Sequence, residues 1–260
     1  AVISDKSNNR KYPLADYSLT PTIAIVDPAL VMTVPDFVTA DTGMDVLTHA
    51  IEAYTSTLAN DYTDGLALQA IKLVFENLVS SVKNADFVSR EKMHNASTMA
   101  GMAFANAFLG MSHSMAHKIG GFFHTVHGRT NAILLPYVIR YNGTRPAKAA
   151  TWPKYNYYRA DEKFQDIARM LGLPSSTPEE AVDALAKAVY ELGEAVGIEM
   201  NFKAQGVDHK EWLDTIHEIA MLAYEDQCSP ANPRLPMVAD MEEILADAYY
   251  GYKERPGRIK

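Results

Sequence analysis

The run from Met93 to His117 holds twenty-five residues without one Asp, Glu, Lys or Arg, and it closes on histidines. A segment that long without charge has to leave water, either into a bilayer or into the centre of a folded body. Ser97, Thr98, Asn106, Ser112 and Ser114 punctuate it. Polar side chains at that density fit a helix buried among other helices better than one facing lipid. His113, His117, His124 and His127 fall within fifteen positions and make half of the chain's eight histidines. Imidazoles in apolar surroundings with a carboxylate nearby suit a divalent transition metal, which needs neutral nitrogens, an offsetting charge and a dry cavity.

A carboxylate stands upstream. Asp45 and His49 are four residues apart, so on a helix they are separated by about 40° and share a face. That face is expected to lie away from the apolar stripe through Val46 and Ala50. Alone, the pair also fits a solvated Asp–His contact, and a lone histidine in the uncharged run fits a satisfied core residue. His113 and His117 repeat the four-residue spacing and His127 follows ten residues later, and the combined pattern favours a metal site. Other chemistries lack their signatures. His217-Glu218 has Met221 where a zinc-protease motif needs a second histidine, and there is neither a GxSxG elbow nor a GxxxxGK loop. His94, His209 and His217 have no partners at ligand spacing and read as surface or structural residues.

The formal net charge of −8 argues against nonspecific binding to nucleic acid. The small basic cluster at Lys253, Arg255, Arg258 and Lys260 reads as a solvated tail. A single Cys228 excludes an intramolecular disulfide and suits a reducing cytoplasm. Polar residues Asp5 to Arg10 stand where a signal peptide would be apolar, so neither secretion nor a membrane is expected.

Two regions are expected. Residues 1–35 read as a strand-rich piece, with Val2-Ile3 and Ile23 to Val26 as short strands and Ser7-Asn8-Asn9 as a turn. Pro13, Pro21, Pro28 and Pro35 keep it from being helical. Residues 36–260 read as helical. Val46, Leu47, Ala50, Ile51 and Tyr54 recur at helical spacing, as do Leu66, Leu68, Ile71, Val74 and Phe75. Gly120-Gly121 is expected to end the helix bearing His113 and His117. A further helix is expected from Gly128 through Val138, with Pro136 perturbing it, and Asn142 to Asn156 as loop. Amphipathic helices follow near Asp161–Leu171, Pro178–Val196, Lys210–Tyr224 and Val238–Tyr249, with a proline-punctuated loop from Gln227 to Pro236. The fold class expected is mainly α, with a short N-terminal β appendage.

At these residues the chain resembles the iron-containing (group III) alcohol dehydrogenases. The matching motifs are Gly43-Met-Asp-Val-Leu-Thr-His-Ala-Ile-Glu-Ala-Tyr54, Gly101-Met-Ala-Phe-Ala-Asn106, His113-Ser-Met-Ala-His117, His127-Gly128 and Asn131-Ala-Ile-Leu-Leu-Pro136. Lys11-Tyr-Pro-Leu-Ala-Asp-Tyr17 and Asp226-Gln-Cys-Ser-Pro-Ala-Asn-Pro-Arg234 are similar to the alcohol dehydrogenase module of bifunctional aldehyde-alcohol dehydrogenases. The resemblance covers essentially the whole chain. It implies a helical metal-binding domain of the dehydroquinate synthase-like kind. It also implies an α/β NAD-binding domain with a glycine-rich phosphate loop, of which this chain is expected to hold only the last strands. Nicotinamide binding would then depend on that missing domain.

The resemblance further implies Asp45, His49, His113 and His127 as ligands of Fe²⁺, with Zn²⁺ as the other candidate. His117 would be a non-ligand histidine facing substrate and nicotinamide, suited to carrying a proton. Phe104 would line the substrate pocket, Cys228 would lie beside the nicotinamide, and His124 would have no part in the site. The implied reaction is reversible hydride transfer between a short primary alcohol or its aldehyde and NAD(H), in a cytoplasmic homo-oligomer. Two other classes stay open: a metal-dependent lyase or hydrolase without nicotinamide, and an assembly module of a filament-forming enzyme.

Overall fold

Helix takes over where the early prolines end. Pro35 precedes α1 (Asp36–Thr55), whose first turn carries Asp36, a negative charge at the positive end of the helix dipole. A capping box opens α2 (Asp61–Lys83): the Asn60 side chain accepts from the Thr63 N–H, and Thr63 Oγ1 accepts from the Asn60 N–H. The Asp86 carboxylate caps α3 (Phe87–Ala107) by accepting from the Ser89 N–H. Then come α4 (Met111–Phe123), α5 (His127–Gly143), α6 (Ala160–Met170), α7 (Pro178–Ala195), α8 (His209–Tyr224) and α9 (Val238–Tyr250). The computed structural model describes residues 2–5, 10–13, 16–146 and 158–251. The expected helical class is what forms, and the late helices lie within a residue or two of their expected bounds.

Among the described residues the core has two apolar clusters that share one helix. The first joins α1, α2, α3, α6 and α7 through Met44, Leu47, Ile51, Ile71, Leu78, Met93, Phe164 and Leu185. The second joins α4, α8 and α9 through Met115, Ile119, Trp212, Ile219 and Leu245. Helix α5 serves both: Ala132, Leu135 and Ile139 face the first, while Ile133, Leu134, Tyr137 and Val138 face the second. Two apolar stripes on one helix make it an internal wall. By length and composition α2 could cross a membrane, but here its apolar side packs against α1 and α3.

Three expectations are corrected. The uncharged run is divided: α3 stops at Ala107, Phe108 turns the chain with φ 63°, and α4 starts at Met111. Gly120-Gly121 does not end the histidine-bearing helix, which continues to Phe123 and closes on His124 in the left-handed region at φ 55°. Continuous packing of Met115, Ile119 and Phe123 on the second cluster carries the helix through both glycines. The strand-rich N-terminal piece is also reduced. An antiparallel hairpin pairs β1 (Val2–Asp5) with β2 (Arg10–Pro13), Val2 opposite Pro13. Ile23 to Val26 forms no strand and is exposed, between 3₁₀ turns at Tyr17–Leu19 and Pro28–Val31. Pro21 and Pro28 remove ladder donors on either side of it, and no third strand pairs with it among the described residues. The Ser7-Asn8-Asn9 turn, most of the Asn142 to Asn156 loop and the basic tail lie outside the described residues; Asn142 itself belongs to α5.

Candidate metal centre

The start of α4 has no local cap, because Gly110 precedes it. Two distant side chains do that work: Asn232 Oδ1 accepts from the Met111 N–H at 3.2 Å, and Glu52 Oε1 accepts from the Ser112 N–H at 2.7 Å. A Cβ at position 110 would stand 2.8 Å from Asn232 Oδ1 and 2.9 Å from Glu52 Oε1, so only glycine leaves both oxygens room. The other Glu52 oxygen meets His113 Nδ1 at 2.6 Å. A carboxylate oxygen accepts, so Nδ1 carries a proton here, and in the neutral ring Nε2 is the nitrogen left with a lone pair. That Nε2 has no hydrogen-bond partner although His113 is 1% exposed, and Asp45 Oδ1 lies 3.6 Å from it.

Helix α5 is drawn onto α1 at the same place. A Cβ on Gly128 would fall 2.2 Å from the Asp41 carbonyl oxygen and 3.1 Å from Asp45 Cβ. Next to it, Arg129 holds the buried Asp41 carboxylate with two bonds, Nε to Oδ1 at 2.9 Å and Nη2 to Oδ2 at 3.0 Å. One turn into α5, the buried Asn131 amide donates to Asp45 Oδ1 at 2.8 Å and lies 3.3 Å from His127 Nε2, while its carbonyl accepts from Ser112 Oγ at 3.2 Å. Asp45 on α1, His127 at the first residue of α5 and His113 on α4 thereby bring donor atoms within 4.8 Å of one another. His49 joins from the next turn of α1: its Nδ1 is 3.9 Å from Asp45 Oδ2, and its ring stacks on His113 at 4.5 Å and on Phe104 at 4.6 Å. The face of α1 that carries Asp45 and His49, off the stripe of Val46 and Ala50, is turned inward, with both side chains less than a fifth exposed. Helix α1 is buried nearly all round, so Asp45 and His49 point at the starts of α4 and α5.

Charge follows from this packing. Burial works against the Asp45 charge, but His113, His49 and His127 outweigh it and hold the carboxyl well below the usual range. Burial, aided by His113, pushes His49 down to about 3 against the pull of Asp45. At His113 burial is overcome by the Asp45 and Glu52 carboxylates, which push it up to about 9. The donor atoms of Asp45, His113 and His127, with the His49 ring beside them and a buried nitrogen that lacks a hydrogen-bond partner, fit a divalent transition metal, and nitrogen and oxygen donors accept Fe²⁺ and Zn²⁺ alike.

His117 sits one turn beyond His113, its ring parallel to that of His127 at 5.4 Å and 8°. Its Nδ1 is 3.3 Å from Asp226 Oδ2, and the Lys118 ammonium donates to the same oxygen at 2.7 Å. Cys228 lies among these groups but is 3% exposed; its N–H donates to Asp226 Oδ1 at 3.0 Å. Burial pushes its thiol pKa well up, with Asp226 and Glu52 adding. His124 stands apart as the α4 cap, His209 bonds Tyr250 at 2.7 Å, and His217 bonds Glu242 at 2.5 Å.

Six residues around the centre escaped sequence reasoning: Asp41, Glu52, Lys118, Arg129, Asn131 and Asp226. Some signal was present. Glu52 follows Asp45 by seven residues, which returns it to within about 20° of the same helix face. Asn131 stands one turn after His127, inside a motif already singled out.

Residues 39–249 match the family described as Fe-containing alcohol dehydrogenase family, C-terminal. An aldehyde-alcohol dehydrogenase of Streptococcus pneumoniae serotype 2 (strain D39 / NCTC 7466) is 83% identical over all 260 residues, which span 29% of its length. An iron-containing alcohol dehydrogenase structure from Thermococcus thioreducens superimposes with TM-score 0.81 at 35% identity, covering 93% of this chain and 58% of that one. A sulfoacetaldehyde reductase from Bifidobacterium kashiwanohense, in complex with NAD⁺, gives TM-score 0.78 at 27% identity, covering 95% of this chain and 59% of that one.

Proposed function

This chain belongs to the Fe-containing alcohol dehydrogenase family, and from that premise we propose that Asp45, His49, His113 and His127 hold a divalent metal, iron first and zinc second, in an NAD-dependent alcohol dehydrogenase. The reaction is reversible hydride transfer between a short primary alcohol or its aldehyde and NAD(H). The observation that carries this reading is the buried, unpartnered His113 Nε2 aimed among the donor atoms of Asp45 and His127. When bound, the metal supplies Lewis-acid polarisation of a substrate oxygen and the nicotinamide supplies the hydride acceptor.

The chain's own residues do the rest. Asp45 offsets part of the metal's charge, and Asn131 fixes its orientation through the 2.8 Å bond. Phe104, stacked on His49, presents an apolar surface beside the centre that suits a small alkyl group. His117 takes up or releases the hydroxyl proton: Asp226 faces its Nδ1, which leaves Nε2 for the exchange. Cys228, whose sulfur lies within 4.8 Å of donor atoms of His117 and Asp226, would stand beside the nicotinamide. The dinucleotide is held chiefly by residues other than the helices described, in a cytoplasmic homo-oligomer. The chain spans 29% of that curated relative, so the test uses the full-length protein: metal content by elemental analysis and ethanol oxidation with NAD⁺. One divalent metal per chain, lost together with activity in Asp45→Ala, supports the reading; full metal and full activity in Asp45→Ala refutes it.

A further inference from the structure

Glu52 has one oxygen on the Ser112 N–H at 2.7 Å and the other on His113 Nδ1 at 2.6 Å. Both Glu52 and His113 are buried, at 4% and 1% exposure. Burying a carboxylate is costly unless something with positive charge or strong donors repays it. The start of α4 repays part, through the Ser112 N–H and the positive end of the helix dipole. The remaining oxygen is spent on one imidazole nitrogen, while the opposite nitrogen of that ring is left bare and pointed at Asp45. A carboxylate that served only to cap α4 would have no reason to hold the histidine in that tautomer.

We propose that Glu52 is a positioning residue of the metal centre: it fixes the His113 ring with its lone pair toward the metal and supplies the second negative charge of a buried group. The inference rests on the metal-centre reading above. A divalent cation beside Asp45 and Glu52 leaves that group without net charge, whereas Asp45 alone leaves one buried positive charge uncompensated. A carboxylate on the far nitrogen also makes the imidazole a stronger donor, and partners of this kind are worth about 10–100-fold in metal affinity. Gly110 belongs to the same device, since any side chain there would displace the carboxylate.

The test is Zn²⁺ affinity of the full-length protein by competition with a chromophoric chelator, for wild type, Glu52→Gln and His113→Ala. Glutamine keeps the shape but removes the charge and leaves a single acceptor for two donors. The expected result is a dissociation constant raised about 10–100-fold in Glu52→Gln. Wild-type affinity in Glu52→Gln, with metal lost from His113→Ala, overturns the proposal and leaves the metal centre standing. No affinity in wild type overturns the metal reading itself. Should Glu52→Gln fail to fold, proton NMR of the Zn²⁺-loaded wild type decides: a far-downfield imidazole proton in slow exchange with solvent is expected, and its absence at every histidine overturns the proposal.

Discussion

Gly128→Ala is a change of one methyl group that strikes the hinge point of the metal centre. The added Cβ would stand 2.2 Å from the Asp41 carbonyl oxygen, 2.8 Å from its carbon and 3.1 Å from Asp45 Cβ. The first two are helix backbone and cannot swing aside as a side-chain tip can. Ordinary contact begins near 3.4 Å, so α1 and α5 must separate by about 1 Å, an overpacking that costs about 1–3 kcal/mol. In a domain of this size that is a melting transition lower by about 2–12 °C. The same separation pulls Asp45 from Asn131 and His127, now 2.8 Å and 3.8 Å away. A 1 Å misplacement costs on the order of 100-fold in rate. Thermal unfolding, chelator competition and alcohol oxidation of the full-length variant measure the three effects. A variant that melts with wild type and keeps its metal would refute the claim that this close approach assembles the site.

Other consequences follow from single contacts. Asn131→Ala strips the amide from the partly buried Asp45 and the acceptor from the buried Ser112 Oγ, so stability drops by about 1–3 kcal/mol and metal leaves faster in a chelator chase; Asn131→Asp fares worse, facing Asp45 with like charge. Burial opposes the Asp226 charge but His117 and Lys118 outweigh it, so its folded pKa lies below the ordinary 3.8. The stability Asp226 contributes is therefore complete above that value and is lost as pH falls through the folded one; Asp226→Asn should flatten the acid limb of a melting-temperature profile, and an unchanged limb would count against the assignment. Burial raises the Cys228 thiol above its ordinary 9.0, so the folded state keeps a proton that the unfolded chain releases, and stability falls as pH climbs past that value; iodoacetamide should label the folded protein far more slowly than the denatured one at pH 8.

Much of the scaffold could be read from periodicity, because helices that bury one stripe repeat their apolar residues every three or four positions. Leu66, Ile71, Val74 and Phe75 mark α2 in that way, and α6 to α9 carry equally regular patterns. What periodicity could not give is the direction of a residue on a helix buried all round. Asp45 and His49 could be placed off the stripe of Val46 and Ala50 but not against a partner, because α1 has packed neighbours on nearly every side. Gly120-Gly121 looked like a stop, but a glycine ends a helix only when packing beyond it does not continue, and Phe123 still has the second cluster to cover. The roles of Glu52 and Asn131 were only faintly signalled for a related reason. Their roles are set by the starts of α4 and α5, which arrive from 60 and 86 residues away in sequence.

X-ray absorption at the metal edge of the loaded, full-length protein asks most directly which side chains surround the ion. The donors of Asp45, His49, His113 and His127 predict a nitrogen and oxygen shell at about 2.0–2.2 Å with the outer scattering of several imidazole rings. A sulfur scatterer at about 2.3 Å would instead put the ion among His117, Asp226 and Cys228, the other gathering of donor atoms described for this chain, and would contradict the account.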